Sequence, residues 1–233
     1  MNHQTKKTDS YAILIFAKSP FLESNTKRII ASNKRNFDLW DKLNDKTLKI
    51  AQQSKISYFI SDETSQVGEN FGEKITHSIR TVFNKGFDKV IVIGNDCPEL
   101  KVTHLRAAKS ALENNDLVLG PDYKGGLYLI GISRNQFKEN DFKNFSWQTT
   151  HVKQKLKDFY SDAETLTLPF LNDFDDLFSF KKATSKLFFN SKFKIDLLKL
   201  IEIVSNKFNE ICYTILVVKI TYKRYRGPPL VGF

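Results

Sequence analysis

The chain has 233 residues, of which 41% are hydrophobic, so it is long enough for one substantial domain with its own core but crowded for two. Its two cysteines, Cys97 and Cys212, are far apart and show no C-x-x-C or Cys/His spacing. This excludes a disulfide framework and a structural zinc site, and we expect a cytoplasmic protein.

The formal net charge of +10 raises the question of a nucleic-acid partner. Nine Lys and Arg residues lie from Lys186 onward against three acidic residues, so the positive excess is concentrated in the tail. No recognised DNA- or RNA-binding module is visible. The apolar stretch at residues 211–220 is about half as long as a membrane-spanning helix. We therefore expect neither a nucleic-acid partner nor a membrane span.

Strand and helix patterns alternate along the chain. Short apolar runs are typical of strands buried on both faces, and apolar residues at helical spacing predict the helices that cover them. The predicted strands are 11–17, 56–61, the apolar part of 88–100, 116–120, 127–133 and a segment within 163–170. The predicted helices are 37–54, 73–86 closed by Gly86, 103–114 with Thr103 as N-cap, and 150–160.

This alternation predicts an α/β fold with a mostly parallel sheet and helices on both faces. The segment 120–126, "GPDYKGG", is too short for a crossover helix, so we expect one antiparallel or edge strand there. We expect a disordered N-terminus at 1–10, the sheet domain at 11–185, and a basic extension at 186–233 made of a helix and a loose terminus. That helix would pack on the domain, mediate self-association or contact an anionic partner, and the sequence leaves these alternatives open.

The residues that follow the predicted strands are the first candidates for chemistry, because open α/β sheets bind ligands at the carboxyl ends of their strands. No glycine follows the first strand, which excludes a Rossmann loop and a P-loop at that position. Side chains would then have to capture phosphate. The candidates are Lys18, Lys27 and Arg28 after the first strand, Asn95 and Asp96 after the third, and Asp122, Gly125 and Gly126 after the fourth. Such cations and carboxylates suit a phosphate-bearing ligand with a divalent metal.

Six segments, in this order and spacing, carry a family resemblance. They are "FAKSP…TKRI", "GEKITHSI", "VIVIGNDCPEL", "LVLGPDYKGGLYLIGIS", "FSWQTTHV" and "NDFDDLFSF". Over residues 11–180 the chain resembles a bacterial glycosyltransferase-like GT-A family of unsettled substrate, related to MobA-like nucleotidyltransferases and 2-phospho-L-lactate guanylyltransferase. The resemblance implies a GT-A-type, nucleotide-diphospho-sugar transferase-like fold.

The resemblance also implies a function. The chain would be a metal-dependent transferase that takes a nucleotide-sugar or nucleoside triphosphate and an unknown acceptor, with glycosyl transfer favoured over nucleotidyl transfer. Mg²⁺ or Mn²⁺ would neutralise charge on the leaving group. The resemblance assigns catalysis to Asp96 and Lys18, and metal binding to Asp96 with Asp175 as second candidate. It assigns nucleotide and phosphate binding to Lys18, Lys27, Arg28 and Asn95. Substrate binding falls to Asp122, Gly125 and Gly126.

Three departures from that family bear on activity. The family usually has glycine where this chain has Glu23. It usually has Lys-Thr-Arg where this chain has Thr26, Lys27 and Arg28, so only Arg28 stays in register. Where the family has Asp-Gly-Gly, residues 124–126 are Lys-Gly-Gly, which replaces a carboxylate with a cation. Asp122 is a candidate substitute. The departures are compatible with an altered substrate or with a catalytically impaired nucleotide-binding protein.

Several of these residues also have a structural interpretation. We expect Cys97 to be a small buried side chain rather than a nucleophile. We expect Trp147 to pack in the core rather than to stack on a base. Asp173, Asp175 and Asp176 would cap the helix that begins there, with a metal site as the alternative.

Overall fold

A computed structural model gives the fold of the chain and describes residues 10–147, 149–189 and 191–201. The chain divides into two compact units, Met1–Leu187 and Phe188–Phe233. In the second unit, residues 192–201 are helical, within the extension for which the sequence predicts a helix. The predicted disordered N-terminus, apart from Ser10, and the extension beyond residue 201 lie outside the described residues.

The first unit is built on a six-stranded mixed sheet. Its strand order is β2-β1-β3-β5-β4-β6, in which β5 runs antiparallel to both neighbours and the other pairings are parallel. The strands are β1 Tyr11–Phe16, β2 Ser57–Ser61, β3 Lys89–Ile93, β4 Leu117–Pro121, β5 Leu127–Ser133 and β6 Thr165–Thr167. The short link between β4 and β5 therefore makes the antiparallel pair that the sequence predicts, but β5 lies inside the sheet rather than at its edge.

Helices cover both faces of the sheet. They are α1 Pro20–Thr26, α2 Asn33–Ser54, α3 Phe71–Asn84, α4 Val102–Asn114, α5 Glu139–Asn144, α6 Val152–Phe159 and α7 Leu177–Ser185, with a 3₁₀ turn at Arg134–Gln136. Buried side chains of α2 and α4 form one core with the sheet, and those of α3, α5 and α6 form the other. The predicted α/β architecture with both faces covered is confirmed.

Successive side chains of β1 pack alternately into the two cores. Ile13 and Ile15 enter the core under α2 and α4, whereas Ala12 and Leu14 enter the opposite core. Successive side chains of a strand point to opposite faces, so a strand covered on both sides needs apolar residues at every position. This is why a continuous apolar run predicted β1 correctly.

Several helix starts differ from the sequence-based prediction, among them those of α1 and α4. α1 was not predicted, although Ser19 is its N-cap and accepts a hydrogen bond from the Leu22 N–H, with Pro20 at the first helical position. α4 begins at Val102 with Lys101 as N-cap, so the prediction of Thr103 as N-cap is wrong. Gly86 has a φ of +96° and follows α3, as its position in the sequence indicates.

A membrane-spanning helix needs about 20 predominantly apolar residues. Over the described residues, none of the helices combines the length and the apolar character that a membrane crossing requires.

Candidate functional site

A cavity of about 650 Å³ opens at the carboxyl ends of the parallel strands. The ends of β1 and β3 meet there because the strands pair in parallel, and the β4–β5 link reaches the same edge because β5 returns in the opposite direction. The polar residues that this topology brings to the lining include Lys18, Glu23, Lys27, Asn95, Asp96, Asp122 and Asp173. Most of the residues that the sequence predicts as site residues therefore line one cavity.

An ion-pair network joins Lys27 to two carboxylates of the lining. The Nζ atom of Lys27 lies 3.0 Å from Oδ2 of Asp96 and 3.1 Å from Oε1 of Glu23. Asp96 raises the pKa of Lys27 well above its ordinary value, against the opposing effect of burial, and Glu23 adds to the increase. Lys27 is therefore a permanent cation. Glu23 and Lys27, two of the departures from the family pattern, contact each other directly.

Asn44 of α2 ties together the two loops that carry Lys18 and Asn95. Its Nδ2 donates to the Lys18 carbonyl at 3.2 Å, and its Oδ1 accepts from Nδ2 of Asn95 at 2.6 Å. Asn95 is buried, so its side chain holds the loop rather than facing solvent. Lys18 lines the cavity, and its Nζ donates to Oγ1 of Thr26 at 3.4 Å. Sequence reasoning missed Asn44, which is one polar residue within an amphipathic helix pattern.

Asp122 organises the link between β4 and β5. It is buried, and its Oδ1 accepts hydrogen bonds from the N–H groups of Lys124 and Gly126 at 2.6 and 2.9 Å. A Cβ at Gly126 would lie 2.3 Å from Oδ2 of Asp122. Any larger residue at position 126 would collide with the Asp122 carboxylate, so glycine is required there.

Asp173 places a third carboxyl group beside Asp96 and Asp122. The pKa of Asp173 is raised to about 8, mainly by burial, with smaller contributions from the neighbouring charge of Asp96 and from a contact with Asp122. Two carboxyl groups in contact form a hydrogen bond only when one of them carries a proton. Asp173 is therefore the group of the site that holds a proton near neutral pH.

The three acidic residues near α7 have separate roles. Asp176 is the N-cap of α7 and accepts from the Ser179 N–H at 2.7 Å. The carboxylate of Asp175 pairs with Nζ of Lys124, and it lies outside the cavity lining. The capping interpretation therefore holds for Asp176, whereas Asp173 faces the cavity.

Besides Asp175, the predicted site residues Arg28 and Gly125 lie outside the lining. Arg28 is exposed and its Nη2 donates to the Ala31 carbonyl at 2.7 Å, because the chain leaves α1 in an extended conformation that turns this side chain away. Gly125, with φ of +92°, packs against the Thr150 carbonyl, which would lie 1.7 Å from an added Cβ. Gly125 therefore packs closely against the backbone of Thr150 and does not line the cavity.

Cys97 is a buried structural residue. Burial raises the pKa of its thiol far above the ordinary value, so the reactive thiolate is disfavoured. Nζ of Lys46 donates to the carbonyls of Pro98 and Leu100, which fixes the loop after β3. The expectation that Cys97 is a small core side chain agrees with this environment.

Trp147 lines the cavity and belongs to a cluster of aromatic side chains. Trp147 packs against Phe71, Phe142 and Phe145 with ring centroids 4.8 to 5.6 Å apart. Its indole N–H donates to the Phe142 carbonyl at 2.8 Å. The ring therefore serves core packing, and it also contributes to the lining.

The carboxylates suit a divalent cation that is completed by a ligand. Within the described part of the chain, no three His, Cys, Asp or Glu side chains form a group that could hold a metal ion. Mg²⁺ is commonly bound by one or two carboxylates together with substrate phosphates and water. Asp96 fits this pattern together with Asp173, whose Oδ1 is buried and accepts no hydrogen bond from the described residues, and Asp173 would release its proton when a cation binds.

The strand order, the antiparallel strand β5 and the cavity at the carboxyl ends define a GT-A-type, nucleotide-diphospho-sugar transferase-like fold. Residues 36–149 match the sequence profile of a family described as "Uncharacterized protein conserved in bacteria (DUF2064)". A candidate nucleotide-diphospho-sugar transferase from Desulfovibrio desulfuricans G20 has a similar structure, with a TM-score of 0.73, 21% identity, and coverage of 86% of this chain and 98% of that chain.

More distant structures are also similar. Rv0371c from Mycobacterium tuberculosis H37Rv has a TM-score of 0.49 and 11% identity, with coverage of 75% of this chain and 97% of that chain. A cytidylyltransferase from Leptospira borgpetersenii serovar Hardjo-bovis (strain JB197) has a TM-score of 0.47 and 12% identity, with coverage of 86% and 96%. The fold assignment rests on the Desulfovibrio structure. Among curated proteins, none matches this chain.

Proposed function

We propose that this chain is a transferase that binds a nucleotide-activated donor in the cavity, and that the group it transfers is a sugar. The observation that carries the proposal is the convergence of Lys18, Lys27 and Asp96 on one cavity at the carboxyl ends of β1 and β3. Lysine side chains that line a cavity beside a carboxylate suit a ligand with a diphosphate. The cavity volume of about 650 Å³ lies in the range of small-molecule sites.

Lys18 and Lys27 would bind the phosphate oxygens of the donor. Both lie on the segment between β1 and α2, and Asn44 fixes the backbone of Lys18 relative to Asn95. The buried Asn95 would act by holding the loop that presents Asp96. Phosphoryl and glycosyl transfer depend mainly on positioning and on charge stabilisation, which such a fixed set of cations supplies.

A divalent cation, Mg²⁺ or Mn²⁺, would be held by Asp96 and Asp173 with oxygens of the donor. When bound, it supplies charge neutralisation on the departing phosphate. Asp175 is the weaker candidate because its carboxylate is paired with Lys124 at the surface. Asp122, with Oδ1 engaged by two backbone N–H groups, would orient the β4–β5 link toward the acceptor.

Sugar transfer is favoured over nucleotidyl transfer because the most similar structure described above, from Desulfovibrio desulfuricans, is a candidate nucleotide-diphospho-sugar transferase. Product identity separates the two reactions. Glycosyl transfer releases a nucleoside diphosphate, whereas nucleotidyl transfer releases pyrophosphate.

A nucleotide-binding protein without turnover is the second candidate. The observation that favours it is that lysines pair with both predicted metal carboxylates, Lys27 with Asp96 and Lys124 with Asp175. Ligand binding that is not followed by product formation over a broad acceptor set would support this candidate.

A thermal-shift screen tests the proposal. Nucleoside diphosphates, nucleotide-sugars and nucleoside triphosphates are added with Mg²⁺ or Mn²⁺, and we expect at least one to raise the Tm by several degrees at saturation. Asp96→Asn should reduce that increase. Asp45→Asn is the matched control, because Asp45 forms a surface ion pair with Lys49 outside the cavity. Absence of stabilisation by every ligand class would refute a nucleotide site.

A further inference from the structure

We infer that Lys27 is a resident counter-ion of Asp96 that competes with a divalent cation for this carboxylate. The inference rests on the proposed function, because it concerns the metal site assigned there to Asp96. It adds an order of events: the ligand-free protein holds Asp96 with its own ammonium group, and Asp96 becomes available to a metal when phosphate oxygens engage Lys27.

The position of the ammonium group is fixed from several sides. Glu23 is 3.1 Å away and its side chain is only 6% exposed, and Asp96 is 3.0 Å away with a side chain 27% exposed. The Lys27 ammonium also lies 5.4 Å from the centre of the Trp40 ring. The backbone carbonyl of Lys27 accepts hydrogen bonds from Nε1 of Trp40 and Nδ2 of Asn36, at 3.1 and 3.0 Å. Both ends of the residue are therefore held in place.

The two carboxylates hold Lys27 for different reasons. Glu23 is the buried residue of α1, and a buried carboxylate without a cation is strongly unfavourable, so this contact has to persist. Asp96 faces the cavity, where a phosphate oxygen could replace it as the second partner of the ammonium group. Lys27 can therefore exchange Asp96 for phosphate without leaving Glu23.

This network differs from an ordinary surface ion pair. The Lys49–Asp45 pair has side chains 68% and 64% exposed and an N···O distance of 3.7 Å, and solvent screens such pairs almost completely. The Lys27 pair is partly enclosed, so its charge acts on any cation that approaches Asp96. Removal of the ammonium group should raise the affinity of Asp96 for a divalent ion at least about tenfold.

The test measures Mn²⁺ binding to the full chain without any nucleotide, by the loss of the electron paramagnetic resonance signal of free Mn²⁺. We expect Lys27→Met to bind Mn²⁺ at least about tenfold more tightly than the wild-type protein. Lys49→Met, the control for loss of one positive charge, should leave the affinity unchanged. Adding Asp96→Asn to Lys27→Met should abolish the gain.

Equal Mn²⁺ affinity of the wild-type protein and the folded Lys27→Met variant would overturn the inference. A gain that survives Asp96→Asn would overturn it as well. Because Lys27→Met leaves Glu23 buried without a cation, the double variant Glu23→Gln/Lys27→Met repeats the measurement without that charge, and circular dichroism verifies folding. Mn²⁺ is the only ligand, so failure of the nucleotide screen and failure of this inference are separate results.

Discussion

Nδ2 of Asn95 donates a hydrogen bond of 2.6 Å to Oδ1 of Asn44. Through this contact, α2 determines where the loop after β3 lies. The same Asn44 side chain donates to the Lys18 carbonyl, so one residue outside the cavity lining links the loop of a predicted phosphate-binding lysine to the loop of Asp96. The two loops are far apart in the sequence, and Asn44 of α2 links them in space.

Replacement of Asn44 should therefore weaken ligand binding more than it weakens the fold. Asn44→Ala removes two hydrogen bonds, which is expected to lower the free energy of unfolding by about 1–2 kcal/mol. We expect an accompanying decrease of about tenfold in affinity for the nucleotide that most stabilises the wild-type protein. Isothermal titration calorimetry and urea denaturation measure the two effects. Gln53→Ala, an exposed position on the same helix, is the control, and unchanged nucleotide affinity in Asn44→Ala would contradict a positioning role.

The carboxyl group of Asp173 should make stability depend on pH. Its pKa is raised on folding to about 8, so the folded state binds this proton more tightly than the unfolded state. The stability associated with the proton is present at low pH and is lost as the pH rises from about 4 to about 8. Asp173→Asn removes the titration. It should be more stable than the wild-type protein at pH 8 by at least about 1 kcal/mol and should show no such advantage at pH 4.

Urea denaturation in the presence of EDTA, repeated between pH 4 and pH 8.5, measures this difference. Asp41→Asn, at an exposed position of α2, controls for the loss of one negative charge. If the wild-type protein and Asp173→Asn keep a constant difference in unfolding free energy across the pH range, Asp173 does not hold a proton in the folded state.

The thiol of Cys97 should be unreactive in the folded protein. Burial raises its pKa, and its side chain belongs to the core beneath α4. In a Cys212→Ser background, we expect labelling by a thiol reagent to be slow in buffer and fast in denaturant. Cys97→Ala should keep nucleotide affinity while lowering the free energy of unfolding by about 1–2 kcal/mol. Rapid labelling under native conditions, with iodoacetamide followed by mass spectrometry, would show that the thiol is accessible.

The parts of the fold that the sequence predicts well are those with a local physical signal. β3 shows it best, because Val90–Ile93 is buried on both faces of the sheet and has to be apolar throughout. α1 lacks such a signal, since it has seven residues and one buried side chain, Glu23. Its cap, Ser19 followed by Pro20, was the information available in the sequence.

The site was predictable in outline but not in its pairings. Strand ends identify Lys18 and Asp96 because topology alone brings the ends of parallel strands together. The contact of Lys27 with Asp96 joins residues 69 positions apart, and nothing local indicates it. The choice between Lys27 and Arg28 depends on the direction in which the chain leaves α1, and the structure turns Lys27 inward and Arg28 outward.

Gly125 and Gly86, two of the glycines with positive φ, allow a prediction that separates backbone strain from steric conflict. Both have similar φ angles, +92° and +96°, but an added Cβ at Gly125 would meet the Thr150 carbonyl oxygen at 1.7 Å, whereas none of the described atoms lies within 4 Å at Gly86. Gly86→Ala should therefore cost only the strain of a left-handed alanine, about 1–2 kcal/mol. Gly125→Ala adds displacement of the backbone around Thr150, and we expect it to cost at least about 3 kcal/mol.

Urea denaturation of both variants without ligand measures these costs. The comparison also decides why the link between β4 and β5 needs glycine at residue 125. A large loss of stability in Gly125→Ala supports packing against Thr150 as the reason. If instead Gly125→Ala is no less stable than Gly86→Ala and loses only nucleotide affinity, the glycine serves ligand binding, as the family resemblance implies.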